Sequence, residues 1–264
     1  MTQPTLKQLT DWALEAGELL LRMQHEDMQL AYKDVADPVT AADKASEALL
    51  ISRIHAAFPG HSIVAEESGL HTDDPDHQWF IDPIDGTINY AHSLPIYAVS
   101  LAYAYKGELQ VGVVYAPAMK ELYTAEKGKG AQLNGEPLQV SSISEMRDAL
   151  LVTGFRTKDF GTPRSNLPAF VHFSKLTQTV RRLGSAALDM VYIAAGRVDG
   201  FWELALNPWD IAAAVLIVRE AGGLAENLVE GKSLLEGKVD VVAGNPHIFP
   251  QVKREYHKLK EAQA

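Results

Sequence analysis

Residues 79–90, reading WFIDPIDGTINY, constrain the fold of this chain more than any other stretch. Trp79, Phe80 and Ile81 read as a short buried strand, which the Asp82-Pro83 pair is expected to stop at once. Two carboxylates, Asp82 and Asp85, then stand around the proline, and Gly86-Thr87 follows as a helix start. Carboxylates this close repel one another, so either one takes a raised pKa or a cation lies between them. Pro83 restricts Asp82 to extended backbone and splays the two side chains around a turn, with the Ile84 carbonyl as a third oxygen. Hard oxygen donors of this kind suit Mg2+ or Ca2+ better than zinc. Backbone amides of Gly86 and Thr87 at a helix N-terminus favour an anion such as phosphate. The plain alternative is a surface turn with an aspartate cap, which D-P and D-G dipeptides alone serve equally well.

With 264 residues and 47% hydrophobic content, the chain can bury a sizeable core as one large domain or two closely joined halves. No apolar run approaches the roughly 20 residues that span a bilayer. The stretch from Met1 to Trp12 lacks the charged-then-apolar layout of a signal peptide, so a soluble cytoplasmic protein is expected. The absence of cysteine excludes disulfides and thiolate metal sites. A net charge of −10 without a visible basic patch argues against a general nucleic-acid binder. The nine histidines show no paired ligand spacing, so none is nominated as ligand or nucleophile.

Leu6, Leu9, Ala13, Ala16, Leu19, Leu20 and Met23 recur at helical spacing and predict an amphipathic helix from Leu6 to His25. A second helix runs to about Ala57, with Thr40 as its N-cap and Asp43 as a first-turn acid. Phe58-Pro59-Gly60 ends it, and Ser62 to Ala65 reads as a strand that delivers Glu66 and Glu67. Residues 69–77 read as a solvated loop; Asp73, Asp74 and Asp76 lack the spacing of a calcium loop. Apolar runs from Ile96 to Tyr105, Leu109 to Tyr115 and Glu121 to Ala125 predict an antiparallel sheet that turns at Lys106-Gly107. Neither the glycines of 127–131 nor Gly231-Lys232-Ser233 makes a nucleotide loop; the latter has Glu226 where a P-loop needs glycine. A strand and helix rhythm follows, with strands at 150–155, 179–183 and 198–203, the last ending in Glu203. Helices are expected from Leu167 to Thr177, behind the small-residue turn Gly184–Ala187, and from Pro208-Trp209-Asp210.

The string Asp82-Pro83-Ile84-Asp85-Gly86-Thr87-Ile88-Asn89 resembles the first signature of the inositol monophosphatase family of metal-dependent, lithium-sensitive phosphatases. Trp209-Asp210 with its small residues and Gly222-Gly223 is similar to the second signature. Glu66-Glu67-Ser68 and Asp37 to Asp43, after a lysine, look like two further family pieces in the same order. The resemblance implies an α+β fold, a layered αβαβα sandwich usually assembled as a homodimer. Residues 1–264 would form a single domain, with an N-terminal α+β half to about 145 and a C-terminal α/β half from about 146.

It also implies Mg2+ as cofactor. Glu66, Asp82 and the Ile84 carbonyl would hold a first ion and Asp82, Asp85 and Asp210 a second, with a third, weaker ion near Glu66 left open. Asp43 would hydrogen-bond Thr87 and orient its hydroxyl toward the attacking water, which makes Asp43, Thr87 and Glu66 the catalytic candidates. Asp85, Gly86, Thr87, Ser185, Ala186, Glu203 and Asp210 would contact the substrate, a small phosphomonoester. Without the family, Thr40 and Asp43 are only cap and first-turn acid, and 184–187 is only a tight strand-to-helix turn. Inositol 1-phosphate or a similar polyol monophosphate is the implied substrate. Fructose-1,6-bisphosphatase or 3′(2′),5′-bisphosphate nucleotidase activity is the enzyme alternative, and a dimeric regulatory binding protein with incidental activity is another. One departure concerns the substrate rim: Ala205-Leu206-Asn207-Pro208 stands where the inositol branch often has a Gly-Ile-His-Cys-like or Gly-Leu-Arg-Pro-like approach.

Overall fold

The computed structural model describes residues 3–24, 31–34 and 37–262. Thr5 caps α1 (Leu6–Met23) through a reciprocal pair with Gln8. His25, placed in that helix by the periodicity, lies outside the described residues, as do Val35 and Ala36, which stand just before the motif Asp37 to Asp43. A small antiparallel ladder of β1 (Ala31–Asp34) and β2 (Asp37–Val39) leads to α2 (Ala41–Ala57), which Thr40 and Asp43 cap by the same device as α1.

Then come β3 (His61–Ala65), β4 (Gly69–His71), β5 (Asp74–Asp85), the short α3 (Thr87–Ala91) and β6 (Ala98–Tyr105). The run closes with β7 (Glu108–Ala116), β8 (Glu121–Glu126), β9 (Ala131–Leu133) and β10 (Glu136–Pro137). Among the described residues these strands make one sheet in the order β10-β9-β8-β7-β6-β5-β3-β4, antiparallel except where β3 meets β5. A second sheet uses β11 (Leu150–Thr153), then α4 (Leu167–Leu176), β12 (Thr179–Arg181), α5 (Ala186–Ala194) and β13 (Gly200–Leu206). It is completed through α6 (Pro208–Glu220), β14 (Leu224–Asn227), β15 (Val239–Gly244) and α7 (Ile248–Glu261), in the strand order β12-β11-β13-β15-β14.

Helices α1 and α2 cover the outer face of the first sheet, α5 and α6 lie between the sheets, and α4 and α7 close the far face of the second. The result is an α+β sandwich of αβαβα layers. Alternation along β5 shows how the layers are sewn together. Trp79 and Ile81 enter the core under α1 and α2 with Leu20 and Leu50, while Phe80 enters the core between the sheets with Met190 and Ile217. Truncating Phe80 to alanine would cost about 3–5 kcal/mol. No helix among the described residues is long and apolar enough to cross a membrane.

The structure corrects three expectations. The strand at 79–81 is not stopped by Asp82-Pro83: β5 runs over twelve residues, through both. Its ladder with β6 shifts register between Asp82 and Asp85, and this irregularity absorbs the amide that proline lacks. The stretch 69–77 is not a loop, because it forms β4 and the outer part of β5, where His77 pairs with Tyr105 and Asp74 with His61. Polar side chains did not prevent backbone pairing on a sheet margin. Nor does β13 end at Glu203; it continues to Leu206 with a register shift on the way.

Candidate active site

Every nominated residue except Asp43 lines a single cleft of about 310 Å3 between the ends of β3, β5 and β13 and the starts of α5 and α6. The bend after β5 builds its floor. Asp82 Oδ1 accepts the Ile84 amide across Pro83 at 3.0 Å, which fixes the carboxylate over its own turn. Gly86 follows with φ of +100°, and a Cβ there would stand 2.9 Å from the Ile96 carbonyl. Only glycine fits this bend. Behind it, α3 is five residues long, so its contribution as a dipole is small and anion binding there depends on individual amides.

Asn89 joins this turn to the other half of the molecule, donating through Nδ2 to the carbonyls of Ile96 at 2.7 Å and Leu183 at 2.9 Å. Asp85 does the same: its Oδ2 accepts the Ser185 hydroxyl and the Ala187 amide, each at 2.6 Å. Ser185 is also the N-cap of α5, so a capping residue is tied to the site. Asp210 is in the first turn of α6 and closes its Oδ2 on the Asn207 amide at 2.7 Å. Glu203 lies on β13 opposite Gly154, where a Cβ would fall 2.1 Å from its Oε1.

Asp43 lies just behind the cleft, fully buried. Its Oδ2 accepts the Thr40 amide at 2.7 Å, and its Oδ1 accepts the Thr87 hydroxyl at 3.2 Å. The helix-cap reading and the Thr87 contact therefore coexist on the two oxygens of one carboxylate. Thr87 Oγ1 is also 3.1 Å from the Ile84 carbonyl.

A sequence profile of the inositol monophosphatase family matches residues 1–262. The chain belongs to that family. It is 44% identical over 242 residues to Nus factor SuhB of Escherichia coli, covering 89% of each chain. It is 44% identical over 224 residues to the inositol-1-monophosphatase of Synechocystis sp., covering 84% of this chain and 78% of the relative. The solved structure of an inositol monophosphatase from Anabaena (Nostoc) superimposes with a TM-score of 0.84 at 42% identity, covering 96% of this chain and 95% of that one.

Whether this member of the inositol monophosphatase family suits divalent cations is a question of donor chemistry. Burial, then the charges of Glu66, Asp85 and Asp210, push the Asp82 carboxyl well above its ordinary range, and Glu66 hydrogen-bonds to it. Asp210 is pushed up to about 8, first by burial and then by Glu66. Glu203 rises to about 8 by burial and the charges of Asp85 and Asp210, and Asp85 to about 6 by burial against the opposing pull of Ser185. Hard oxygens gathered so densely fit a divalent cation, which relieves all of these repulsions together. Among the described residues no three such side chains already converge as a ligand set, and Asp82, Asp85 and Asp210 each have one oxygen engaged by a protein donor. The residues fit the ion in kind: Glu66, Asp82, Asp85 and Asp210 would hold it through carboxylate oxygens.

Sequence reasoning missed several residues of the cleft. Arg156, Lys158, Arg182 and Lys238 line it, as does Asp189. Asp189 is 1% exposed and its Oδ1 has no hydrogen-bond partner. Its place one turn into α5, after Gly-Ser-Ala-Ala-Leu, was the available signal. The four cations are scattered in sequence, and only the fold brings them to one rim.

Proposed function

We propose that the chain is a Mg2+-dependent phosphomonoesterase that hydrolyses inositol 1-phosphate, or a similar polyol monophosphate, by attack of an activated water. The hydrogen bond from Thr87 to Asp43 at the edge of the acidic cleft carries this reading. A hydroxyl has one proton to donate, and that of Thr87 is committed to Asp43 or the Ile84 carbonyl. Its lone pairs are then left to accept from a water, aiming that water's oxygen at the phosphorus. Asp43, held by Thr40, is a fixed acceptor for the proton passed through Thr87.

Bound Mg2+ would acidify the water and offset negative charge on the phosphoryl and leaving oxygens. Glu66, Asp82, the Ile84 carbonyl, Asp85 and Asp210 would hold it. The amides of Gly86 and Thr87 receive the phosphoryl oxygens, and Asp85, Glu203, Ser185 and the Ala186 backbone meet the hydroxyl-bearing side of the substrate. Lithium sensitivity and a homodimer belong to the same reading.

The deciding experiment is phosphate release from inositol 1-phosphate, fructose 1,6-bisphosphate, histidinol phosphate and 3′-phosphoadenosine 5′-phosphate, with Mg2+ and with or without lithium. Preference for inositol 1-phosphate, suppressed by lithium, supports the reading. Preference for another compound moves the substrate and keeps the chemistry. A second reading, a dimeric regulatory binding protein, is favoured by the Nus factor name of the Escherichia coli relative. Rescue of a deletion strain by an Asp82→Asn variant would select it over catalysis.

A further inference from the structure

Helix α2 turns a polar face inward. Asp43, Ser46 and Glu47 are one turn apart on it and are 0, 0 and 3% exposed. Each touches a different piece of the cleft wall. Asp43 meets Thr87, and Ser46 Oγ donates to the Pro83 carbonyl at 3.3 Å. Glu47 reaches the turn after β3: its Oε2 accepts the Glu67 amide and its Oε1 the Ser68 amide, both at 2.8 Å. Two successive amides converging on an acid form an anion nest, here filled by the chain's own side chain.

Glu66 stands immediately before this nest. Its own amide donates to the Ile81 carbonyl at 3.2 Å. The backbone of Glu66 is therefore tied to β5 on one side and to α2 on the other, and the second tie is a single buried carboxylate.

We propose that Glu47 is a positioning residue: by clamping the turn 66–68 it fixes where Glu66 presents its carboxylate, and so sets the affinity of the cleft for its cation. This rests on the reading of the cleft as a divalent-cation site. Hydrogen bonds from amides to a carboxylate are among the stronger kind and are sensitive to geometry. A glutamine at 47 offers one acceptor oxygen and one NH2 group, so one of the two amides would face a donor. That turn would open, and Glu66 would lose its fixed approach.

The test titrates Mg2+ by calorimetry into the wild-type chain, Glu47→Gln and Arg53→Ala, and follows hydrogen–deuterium exchange of all three without Mg2+. Arg53 lies on the outer face of α2, where it pairs with Glu15 at 2.6 Å, and serves as the control for general loosening of the helix. In Glu47→Gln the Kd for Mg2+ is expected to rise by roughly 10–100-fold, the usual effect of removing a group that orients a ligand. Exchange at Glu67 and Ser68 should quicken while α1 and the second sheet keep their protection, and activity lost at low Mg2+ should return at high Mg2+. Arg53→Ala should bind Mg2+ as the wild type does.

A folded Glu47→Gln whose Mg2+ Kd stays within about twofold of wild type overturns the proposal, as does an equal weakening in Arg53→Ala. Should Glu47→Gln not fold, Glu47→Asp, which keeps both acceptors one methylene further away, is read by the same criteria. A wild-type chain that takes up no Mg2+ refutes the cation reading itself, and that outcome is distinct from failure of the Glu47 clamp.

Discussion

Two clefts of the molecule differ in kind, and the larger of them is not the one that gathers the nominated acids. The larger, of about 560 Å3, lies between the β6–β7 turn, the end of α6 and the segment after β14. Several of its charges are paired: Lys127 with Glu108 and Lys253 with Glu226, each at 2.6 Å, while Glu220 accepts the Gly128 and Gly130 amides. Its bends use Gly107 and Gly231, with Lys106 beside Gly107 also at positive φ. The smaller cleft sets carboxylates against one another and has Ala205, a residue with a Cβ, at φ of +60°. Volume says how much could fit, whereas buried carboxylates held against one another mark where the sequence gives up stability for chemistry.

The strongest way to break this contrast is Asp82→Asn, or Asp210→Asn. Phosphatase activity should fall by ~10³-fold, while thermal melting shows a fold as stable as before, since a buried charge that burdens the apo chain is gone. Full activity at saturating Mg2+ would end the cation reading. Next comes Asp43→Asn, expected to lower kcat by ~10²-fold through loss of the proton acceptor behind Thr87. Unchanged kcat would reduce Asp43 to its capping role.

Ala205→Gly tests the strain. This is the position where the inositol branch often carries glycine, and relieving a left-handed alanine should raise stability by about 0.5–1 kcal/mol in urea unfolding, after allowing for glycine's greater chain entropy. A loss of stability would show that the bend is unstrained. The smallest effect belongs to the larger cleft: Lys253→Ala breaks an exposed pair and should change stability by less than about 0.5 kcal/mol, with kcat/KM unaltered. A marked fall in activity would give that cleft a function.

The elements with local signals were legible in the sequence. α1 announces itself by its apolar stripe, the β6–β7 turn by Lys106-Gly107, both with positive φ, and α6 by Pro208. Long-range pairing was not legible. The outer part of β5 is polar and becomes a strand only because β3 and β6 flank it, and β14, β15 and α7 went unread. The family resemblance nominated the acids of the cleft but not how they are held. Asp43 offered two readings as rivals, and one carboxylate makes both contacts. Glu47 was invisible because its partners are backbone amides twenty residues away, which no side-chain pattern encodes. Its helix also lacks a clean apolar stripe on the face it buries, since Asp43, Ser46 and Glu47 occupy part of that face.

Asn89 has a mechanical consequence. Its one NH2 group spends both hydrogens on carbonyls from opposite halves of the chain, Ile96 and Leu183, beneath the turn that follows β5. Halves pinned together at the bottom resist swinging apart on a hinge to admit substrate. Entry and release then pass the rim side chains Lys158, Arg182 and Lys238, so traffic through the cleft is a matter of side chains stepping aside rather than of lobes gaping.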